Sequence, residues 1–270
     1  MISVIIPTYN RRHTLERTLV SVYAQTRADC QVIVADDGST DDTLDYLQSQ
    51  PVVTIPLPHS GKPAVARNSG IACARGELVA FLDSDDSWEP TALEELSAAL
   101  VSAPDAGFAF CDYAPAPAPA ASGRHATSVR GPIDIFESLL NTDFLATGSL
   151  LIRREAILTV GEFDPRLWVA DDWDYWLRLA AQYQAVHVSQ PLVRVHAAPD
   201  SISRAPGGTI FADNKLITRK MAAWCQAHRP AASPLARRIH RRSLMESARY
   251  EWHHGGYFQM VRDLMALLDT

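Results

Sequence analysis

Residues 78–86 read Leu-Val-Ala-Phe-Leu-Asp-Ser-Asp-Asp, an apolar run that stops abruptly at a cluster of acidic side chains. The run is long enough for a buried strand, and Asp83, Asp85 and Asp86 fall together at its carboxyl end. Such carboxylates repel one another and resist desolvation unless a cation neutralises them. Mg²⁺ or Mn²⁺ commonly binds between carboxylates and the phosphates of a substrate. The alternative interpretation is an N-terminal cap for a helix predicted from Pro90.

Short apolar strands alternate with amphipathic helices in the first half of the chain, which predicts an α/β fold with a mostly parallel sheet between helices. The predicted strands are 2–6, 31–35, 52–57, 78–82, 107–111, 148–152, 186–188 and 192–195. The predicted helices are 11–25, a short one after a Ser39–Asp42 capping box, 63–74, one from Pro90, 136–141, one from Asp171, and three beyond residue 208. The Ala/Pro-rich stretch 114–123 is predicted to be a mobile surface loop that cannot pair in a sheet.

The composition is that of an ordinary globular protein. The chain has 270 residues, of which 47% are hydrophobic and 21% are charged. This size allows one large α/β domain, or one domain with a helical appendage. We expect two units: residues 1–205, which contain the alternating strands and helices, and a helical extension over residues 206–270.

Charge is distributed unevenly along the chain, whose net charge is −6. Residues 204–254 contain ten Lys or Arg but only three Asp or Glu. A basic helical segment of this kind suits phosphates or an anionic membrane surface. The alternative is a solvated face, or a face docked on the acidic remainder of the chain.

Cysteine usage and hydropathy indicate the compartment. The cysteines at positions 30, 73, 111 and 225 are scattered without a Cys-x-x-Cys pair, so neither a zinc site nor a disulfide framework is expected. Three of them lie in apolar patterns and are expected to be buried. We expect no signal peptide, because Pro7 halts the first apolar run, and no stretch reaches the length of a membrane span. A reducing cytoplasm is the expected location.

Three polar segments follow predicted strands. They are 7–10, 36–39 and 83–86. In an open parallel sheet, ligands bind outside the carboxyl ends of the strands. The sheet would therefore gather all three segments on one rim, which is a more specific signal than any of them alone.

Six motifs follow one another along the chain: Val-Ile-Ile-Pro-Thr-Tyr-Asn at 4–10, Val-Ala-Asp-Asp-Gly-Ser-Thr-Asp at 34–41, Ala-Arg-Asn-Ser-Gly at 66–70, Phe-Leu-Asp-Ser-Asp-Asp at 81–86, Ala-Asp-Asp-Trp-Asp-Tyr-Trp-Leu-Arg-Leu-Ala at 170–180 and Arg-Val-His at 194–196. With these motifs the chain resembles family 2 glycosyltransferases, which have the GT-A fold, over about residues 1–205. The resemblance implies that this part is a nucleotide-sugar-binding and catalytic domain. Six ordered matches make chance agreement implausible.

The resemblance implies a nucleotide site at the first two motifs and Arg67. The nucleotide-binding residues it implies are Pro7, Thr8, Tyr9, Asn10, Asp36, Arg67 and Asp83. Tyr9 would stack on the base and Asp36 would accept a hydrogen bond from a ring N–H. Arg67 would lie near the phosphates, with Lys62 as a weaker candidate. The alternatives are a turn and helix cap for Asp36 and Asp37, and a surface ion pair for Arg67.

The acidic segment is implied to be the Asp-x-Asp metal motif of the family. Asp85 would bind Mn²⁺ or Mg²⁺ at the donor diphosphate, with Asp83 near the ribose or a metal-bound water. The resemblance also places His196 near the metal or diphosphate, against the alternative of an ordinary structural histidine. Asp86 would support or cap the loop, and Arg194 would help to neutralise phosphate. Ser201 and Ser203 lie in a segment that would close over the donor.

The catalytic base is implied to be Asp172, the second acid of a pair in which Asp171 replaces the more common Glu. Inversion needs one base to take the proton of the acceptor hydroxyl. Helix capping is the alternative for both acids. Trp173, Trp176 and Leu177 have core spacing and are expected to pack rather than bind sugar. The pair His253-His254 has no acidic or cysteine neighbours, so no metal site is expected there.

The sequence thus predicts an inverting, metal-dependent glycosyltransferase. It would move a sugar from a nucleotide diphosphate, with UDP favoured, to a hydroxyl of a saccharide or lipid-linked saccharide in cell-surface glycan assembly. Residues 114–147 and the C-terminal helices would set specificity, with peripheral contact at the inner membrane face and no nucleic-acid partner. The rivals are a nucleotidyltransferase or a dehydrogenase, which would favour a Gly-rich loop after the first strand, and an inactive binding protein.

Overall fold

The computed structural model of the chain describes residues 1–116, 129–197 and 207–269. The strands are β1 (Ile2–Thr8), β2 (Cys30–Asp36), β3 (Val53–Pro56), β4 (Leu78–Phe81), β5 (Ser87–Trp88), β6 (Phe108–Ala116), β7 (Val129–Ile133), β8 (Leu150–Arg153) and β9 (Ala185–His196). The helices are α1 (Arg12–Tyr23), α2 (Thr43–Leu47), α3 (Pro63–Cys73), α4 (Ala92–Ser102), α5 (Phe136–Asn141), α6 (Arg154–Val160), α7 (Asp171–Gln182), α8 (Gly207–His228), α9 (Ser233–His254) and α10 (Tyr257–Ala266). Short 3₁₀ turns occupy Thr147–Ser149 and Leu267–Asp269.

The strands form one sheet in the order β3-β2-β1-β4-β8-β6-β9-β5, with β7 paired to β9. The first four strands of this order are parallel to one another. β8 then runs antiparallel to both of its neighbours, while β6 and β9 are again parallel. The predicted α/β sheet flanked by helices is confirmed, and its second half is mixed because β8 enters between β4 and β6.

Successive side chains of a strand point to opposite faces of the sheet, and the core therefore has two layers, one on each face. On β1, Ile5 joins one layer, whereas Val4 and Ile6 join the other. Helices α1 and α4 cover the face of Val4, and α3, α7 and α8 contribute to the layer that contains Ile5. Every residue of β1 is buried, as expected for a central strand covered on both sides. This central position fixes the carboxyl end of β1 in the middle of the rim.

Several predicted elements need correction. Residues 186–188 and 192–195 belong to one strand, because irregular pairing with β6 near Asp112 lets β9 continue past Pro191. Ala114–Ala116 do pair in the sheet, beside Arg194–His196. Pro115 is tolerated there because β8 pairs with β6 only at residues 108–110, so this part of β6 lies beyond the β8 ladder. The rest of the predicted 114–123 loop lies outside the described residues.

The capping box predicted from Ser39 and Asp42 does not form. Asp42 precedes α2 without a side-chain capping bond, and the Ser39 hydroxyl donates to Asp36 instead. The predicted strand at 148–152 begins at Leu150, after the 3₁₀ turn. Three cysteines were predicted to be buried, but two are: Cys111 and Cys225. Cys30 is partly exposed and Cys73 is exposed.

The predicted three C-terminal helices are present as α8, α9 and α10. Ile217, Met221 and Cys225 of α8 join the core layer that contains Ile5. Asp213 of α8 accepts hydrogen bonds from the backbone N–H groups of residues 168, 169 and 170 at 2.8–3.2 Å, and so fixes the approach to α7. The proposed boundary between residues 205 and 206 lies outside the described residues and stays a prediction. Among the described helices, none has the length and apolar character of a membrane span.

Candidate active site

A cleft of about 400 Å³ opens where the carboxyl ends of β1 and β4 meet the start of α3. Thr8 ends β1, and Asp83, Ser84 and Asp85 follow β4. The lining residues come from the carboxyl ends of these strands, from the loops that follow strands β1 to β4, and from the first two turns of α3. They are Pro7, Thr8, Tyr9, Arg11, Asp37, His59, Gly61, Lys62, Pro63, Ala66, Arg67, Asp83, Ser84 and Asp85. The cleft therefore combines an aromatic and apolar wall with carboxylates and cations, as expected for a charged organic ligand.

The aromatic wall is a stacked pair rather than a single ring. Tyr9 packs face to face on His59, with ring centroids 4.1 Å apart. His59 is held in turn by Asp37, whose carbonyl oxygen lies 2.9 Å from Nδ1. The Asp37 carboxylate also accepts hydrogen bonds from the backbone N–H groups of Ser60 and Gly61 at 3.0 and 2.8 Å. Asp37, for which the sequence indicated little more than a turn, organises the wall of the cleft.

Asp36 makes the contacts of a turn. It is fully buried, and one carboxylate oxygen accepts hydrogen bonds from the backbone N–H groups of Gly38 and Ser39, while the other accepts from the Ser39 hydroxyl. It does not line the cleft. Asn10 has a positive φ of 51° and caps the N–H groups of Thr40 and Asp41. Both residues shape the turns that position the cleft, so direct contact with a nucleotide stays a prediction for them.

The acidic loop, residues 83–86, is held from below by α1. The Thr18 hydroxyl donates to the carbonyl oxygen of Asp86 at 2.7 Å, and Arg17 donates to that of Asp85 at 2.7 Å. The loop does not cap α4, whose N-cap position is Thr91. Asp83 and Asp85 both line the cleft, and the Arg11 guanidinium lies 4.0 Å from the Asp85 carboxylate. The two acids predicted to act at a metal therefore share one cavity.

Asp86, the last residue of this loop, contacts the Arg-Val-His motif. The Asp86 carboxylate accepts the backbone N–H of His196 at 3.0 Å, and burial, with Asp83 next, raises the pKa of Asp86 to about 8. His196 Nε2 lies 2.9 Å from the Ser87 hydroxyl, outside the cleft lining. Burial and the nearby Arg17 and Arg194 lower the pKa of His196. Its predicted contact with a metal or diphosphate is untested, and its present contacts support the loop.

Arg194 pairs with Glu89 at 2.6 Å, so its predicted phosphate contact is not evident from its partners. Lys62 lines the cleft, but its ammonium group donates to the carbonyl oxygen of Pro165 and lies 4.9 Å from the centre of the Trp168 ring. It thereby fastens the loop that leads to α7 against the start of α3. Ser201 and Ser203, predicted to close over the donor, lie outside the described residues.

Arg67 joins the two halves of the site. Its side chain is 5% exposed, and its guanidinium donates to Asp83 at 2.8 Å and to Asp171 at 2.6 Å. A surface ion pair is therefore the wrong description of this residue. Burial opposes the charge on Arg67, but the carboxylates of Asp171 and Asp83 outweigh it and raise its pKa. One planar cation thus fixes the acidic loop after β4 to the first turn of α7.

Asp172 follows this anchored residue. It is partly accessible, and its carboxylate accepts a hydrogen bond from the Thr147 hydroxyl at 3.2 Å. Burial of the carboxyl group raises the pKa of Asp172 to about 8, with further repulsion from Asp143 and Asp171. Asp143 is an exposed residue in the loop before the 3₁₀ turn, and desolvation by the neighbouring protein raises its pKa. An accessible acid with a raised pKa suits proton transfer near neutral pH.

The residues around α7 divide into anchored and packed ones. Ala170 is the N-cap position, without a side-chain capping bond, and Asp171 is committed to Arg67. Capping is therefore a poor description of Asp171, whereas the Asp172 carboxylate does accept the backbone N–H of Trp173 at 2.8 Å in the first turn of α7. Trp173, Trp176 and Leu177 are buried, as predicted, and the Trp173 indole N–H donates to the carbonyl oxygen of Leu139 at 2.9 Å.

A resident metal ion would find an open site here rather than a closed protein cage. Within the described ranges, no three His, Cys, Asp or Glu side chains converge on one point. Asp83 and Asp85 nevertheless offer carboxylate oxygens to one cleft that also holds cationic side chains. Mg²⁺ and similar ions usually take one or two carboxylates and complete their shell with substrate phosphates and water. The residues present fit that arrangement.

Sequence reasoning missed six polar side chains of the site. Arg11, His59, Asp143 and Thr147 belong to no motif and reach the site only through the fold. Arg17 and Thr18 of α1 donate to the acidic loop. The available signal was for these two, which are polar residues inside a helix predicted to pack on the sheet. The other four gave none.

The chain matches a known family over more than half its length. The family described as Glycosyl transferase family 2 matches residues 3–161. An uncharacterized glycosyltransferase of Nostoc sp. is 31% identical over 230 residues, which cover 76% of this chain and 67% of that protein. The UDP-Glc:alpha-D-GlcNAc-diphosphoundecaprenol beta-1,3-glucosyltransferase WfaP of Escherichia coli is 37% identical over 94 residues, 34% of this chain and 38% of WfaP. The second alignment thus spans well under half of the relative.

Solved structures agree in fold. S. aureus TarS 1–349 in complex with UDP-GlcNAc superposes with a TM-score of 0.71 at 20% identity, over 90% of this chain and 71% of that one. The mannosyltransferase PcManGT of Pyrobaculum calidifontis, in complex with GDP-Man and Mn²⁺, gives a TM-score of 0.63 at 19% identity, over 100% of this chain and 75% of that one. At these identities the likeness concerns the fold alone. The sequence matches and the shared architecture together establish that this chain belongs to glycosyl transferase family 2.

Proposed function

We propose that the chain is an inverting, metal-dependent glycosyltransferase that uses a nucleotide-diphosphate sugar, most naturally a UDP-sugar. The observation that carries this proposal is the Arg67 bridge, because it sets the cleft that holds Asp83 and Asp85 beside the helix that begins with Asp171 and Asp172. A donor site and a base are thereby held in one rigid unit. Family membership makes sugar transfer the activity for which such a unit would serve.

The donor would occupy the cleft with its base against the stacked Tyr9–His59 pair and its diphosphate towards the acidic loop. A base stacks readily on such a platform, and the cations of Arg11 and Lys62 line the same cavity. UDP is favoured because TarS binds UDP-GlcNAc and WfaP uses UDP-Glc. The GDP-Man complex of PcManGT makes GDP the comparison to test.

Asp83 and Asp85 would hold Mn²⁺ or Mg²⁺ together with the diphosphate. When bound, such an ion acts as a Lewis acid that stabilises the charge developing on the departing nucleoside diphosphate. The Mn²⁺ in the PcManGT complex supports a metal in this fold. Arg67 would keep Asp83 oriented towards the cleft and would limit its repulsion from Asp171.

Asp172 would act as the base. Its carboxylate would accept the proton of the acceptor hydroxyl as that oxygen forms a bond to the anomeric carbon. The bond from the anomeric carbon to the diphosphate breaks on the opposite side, and the nucleoside diphosphate leaves with the bonding electrons. The Thr147 hydroxyl would orient the Asp172 carboxylate, and the surrounding protein keeps its pKa near the working pH.

The acceptor would be a saccharide, free or linked to a lipid diphosphate, in the assembly of a cell-surface glycan. The similarity to WfaP supports this proposal, because the acceptor of WfaP is a sugar on diphosphoundecaprenol. The 3₁₀ turn at residues 147–149 and the loop of Asp143 lie next to Asp172, so residues 114–147, together with the C-terminal helices, are where acceptor selectivity would be set.

The proposal is tested by calorimetric titration of the protein with UDP, GDP and dTDP, each with and without Mn²⁺. We expect UDP to bind in a Mn²⁺-dependent manner, and we expect Asp85→Ala to abolish the metal dependence together with most of the affinity. Loss of a charged ligand to the cation should weaken UDP binding by about tenfold or more. The matched control is Asp105→Ala, an exposed acid away from the cleft, which should bind UDP as the wild type does.

If none of the three nucleotides binds with Mn²⁺ present, the donor site is misassigned. If GDP binds more tightly than UDP, the enzymatic class stands but the assignment of a UDP-sugar is wrong.

Asp172→Asn should separate binding from chemistry. The amide cannot take a proton, so the transfer rate should fall by about 10²–10⁴-fold, while Mn²⁺-dependent UDP binding stays within about twofold of the wild type. Transfer is measured as nucleoside diphosphate release with the donor identified by titration. A variant that keeps the wild-type rate would contradict the assignment of Asp172, and Asp105→Asn serves as the control.

The same variant has a predicted signature in stability. The pKa of Asp172 is raised on folding, so the wild type loses stability as the pH rises from the ordinary range of aspartate towards about 8, whereas the amide of the variant has no such proton to lose. Thermal unfolding should therefore show the advantage of Asp172→Asn growing with pH across this window. An advantage that does not change with pH would mean that the carboxyl group is not destabilised by burial.

Asp143→Asn should shift the pH profile of transfer. The negative charge of Asp143 helps to raise the pKa of Asp172, so its removal should move the acidic limb of the kcat/KM profile to lower pH, by roughly 0.5–1 unit. We expect the limb of Asp105→Asn to coincide with that of the wild type. A limb that stays in place in Asp143→Asn would show that the two carboxylates do not interact during catalysis.

A further inference from the structure

Helix α10 shows an inverted pattern of polarity. Among its described side chains, the buried one is the acid Asp263, whose two carboxylate oxygens both lie 2.9 Å from the ammonium group of Lys215 on α8. The opposite side carries Phe258, Val261 and Met265, which are exposed by 80%, 50% and 60%. A helix that stabilised the core by burying apolar area would be turned the other way. The ion pair therefore holds α10 in an orientation that presents its apolar stripe outward.

The stripe continues into the turn that follows. Residues 258, 261, 265 and 268 recur at intervals of three or four, so they share one face of the helical segment. Leu268 in the 3₁₀ turn is 79% exposed. Three further large apolar side chains of α9 and α10 are also exposed: Met245, Trp252 and Leu264. A cluster of this kind marks an interaction site rather than scattered surface residues.

Basic side chains border the stripe. A groove on α9 is lined by Arg237, Arg238, Arg241 and Arg242, and Leu267 of the turn after α10 lines the same groove. Arg249 and Arg262 are also exposed on these helices. Glu246 pairs with Arg242 at 3.1 Å and offsets only one of these charges. By contrast, Lys215, Lys220 and Arg229 form ion pairs with acids of the packed structure, so part of the basic segment is docked and part faces outward.

We infer that this basic and apolar surface of α9 and α10 binds an anionic lipid membrane. Apolar side chains flanked by arginines match a lipid interface. The apolar side chains are buried at the boundary of the acyl chains, and the acidic headgroups attract the arginines. A symmetric contact with a second copy would bring two sets of arginines face to face, which charge repulsion opposes. The inference is independent of the proposed donor site and of the proposed base, because the surface shares no residue with the cleft or with the acidic pair at residues 171–172.

Co-sedimentation with vesicles tests this surface. The full chain is mixed with vesicles of phosphatidylcholine and phosphatidylglycerol, and separately with vesicles of phosphatidylcholine alone. We expect binding to the anionic vesicles, weakening as salt is added, and little binding to the neutral ones. Phe258→Ser with Met265→Ser should lower the partition coefficient by about tenfold or more, because both side chains lose their apolar contact with the interface.

Arg238→Gln with Arg241→Gln should lower partitioning by a similar factor and should also reduce its dependence on salt. Each pair has a matched control on a distant exposed surface: Val101→Ser with Leu158→Ser for the apolar pair, and Arg75→Gln with Arg154→Gln for the basic pair. We expect both controls to bind vesicles as the wild type does. Mn²⁺-dependent UDP titration reports the cleft separately and should be the same in all of these variants.

Absence of binding to anionic vesicles would overturn the inference, and so would an equal loss in the matched controls. Light scattering supplies a further decisive outcome. If the wild type self-associates and Phe258→Ser with Met265→Ser becomes monomeric without any change in vesicle binding, the surface is an interface between copies and the membrane assignment is wrong.

Discussion

The arrangement of the site depends on one buried cation. Arg67 leaves water to lie between Asp83 and Asp171, and each of these acids belongs to a different part of the fold. Removing one partner of such a buried group leaves an uncompensated charge, which typically costs about 3–5 kcal/mol. The bridge therefore specifies how α3, the loop after β4 and the start of α7 fit together. Asp171 is shorter than a glutamate by one methylene, and its carboxylate still reaches the Arg67 guanidinium at 2.6 Å.

Carboxylates outnumber the Arg67 guanidinium around this bridge, and their excess determines the pKa values of the site. Desolvation raises the pKa values of Asp86, Asp143 and Asp172, and repulsion from neighbouring carboxylates adds to the effect for Asp86 and Asp172, since one guanidinium cannot neutralise all of these acids. Such a cavity gains from any bound cation, and it holds Asp172 with a pKa suited to accept a proton. The protein accepts a stability penalty here at neutral pH, and this is a common feature of catalytic centres.

Much of this arrangement could be predicted from the sequence because the rim of a parallel sheet is a property of topology. Once 2–6 and 78–82 are assigned as strands of one sheet, Thr8 and Asp83 must end at the same edge. The alternation of apolar residues also placed Trp176 and Leu177 in the core correctly. The exposed face of α10 could not be read in this way, because its orientation is set by the Lys215–Asp263 pair between residues far apart in sequence.

Long-range contacts account for the other differences. The merger of two predicted strands into β9 follows from its pairing with β6, and the role of His59 follows from Asp37 and the position of Tyr9. Asp36 belongs to a recognised motif, but its carboxylate is hydrogen-bonded within its own turn rather than directed at the cleft. Local sequence patterns indicate which groups reach the rim, but not which of them is committed to a neighbour when it arrives there.

The central claim is that Arg67 makes the donor cleft and the catalytic base one site. A single-turnover titration of Arg67→Lys with donor tests it directly, since this measurement returns donor affinity and the rate of the chemical step together. A lysine keeps the charge but cannot donate to two carboxylates in a planar fork. We predict that the affinity and the rate at saturating donor each fall by about tenfold or more. A wild-type rate at saturating donor would show that the base is positioned without Arg67 and would contradict the account.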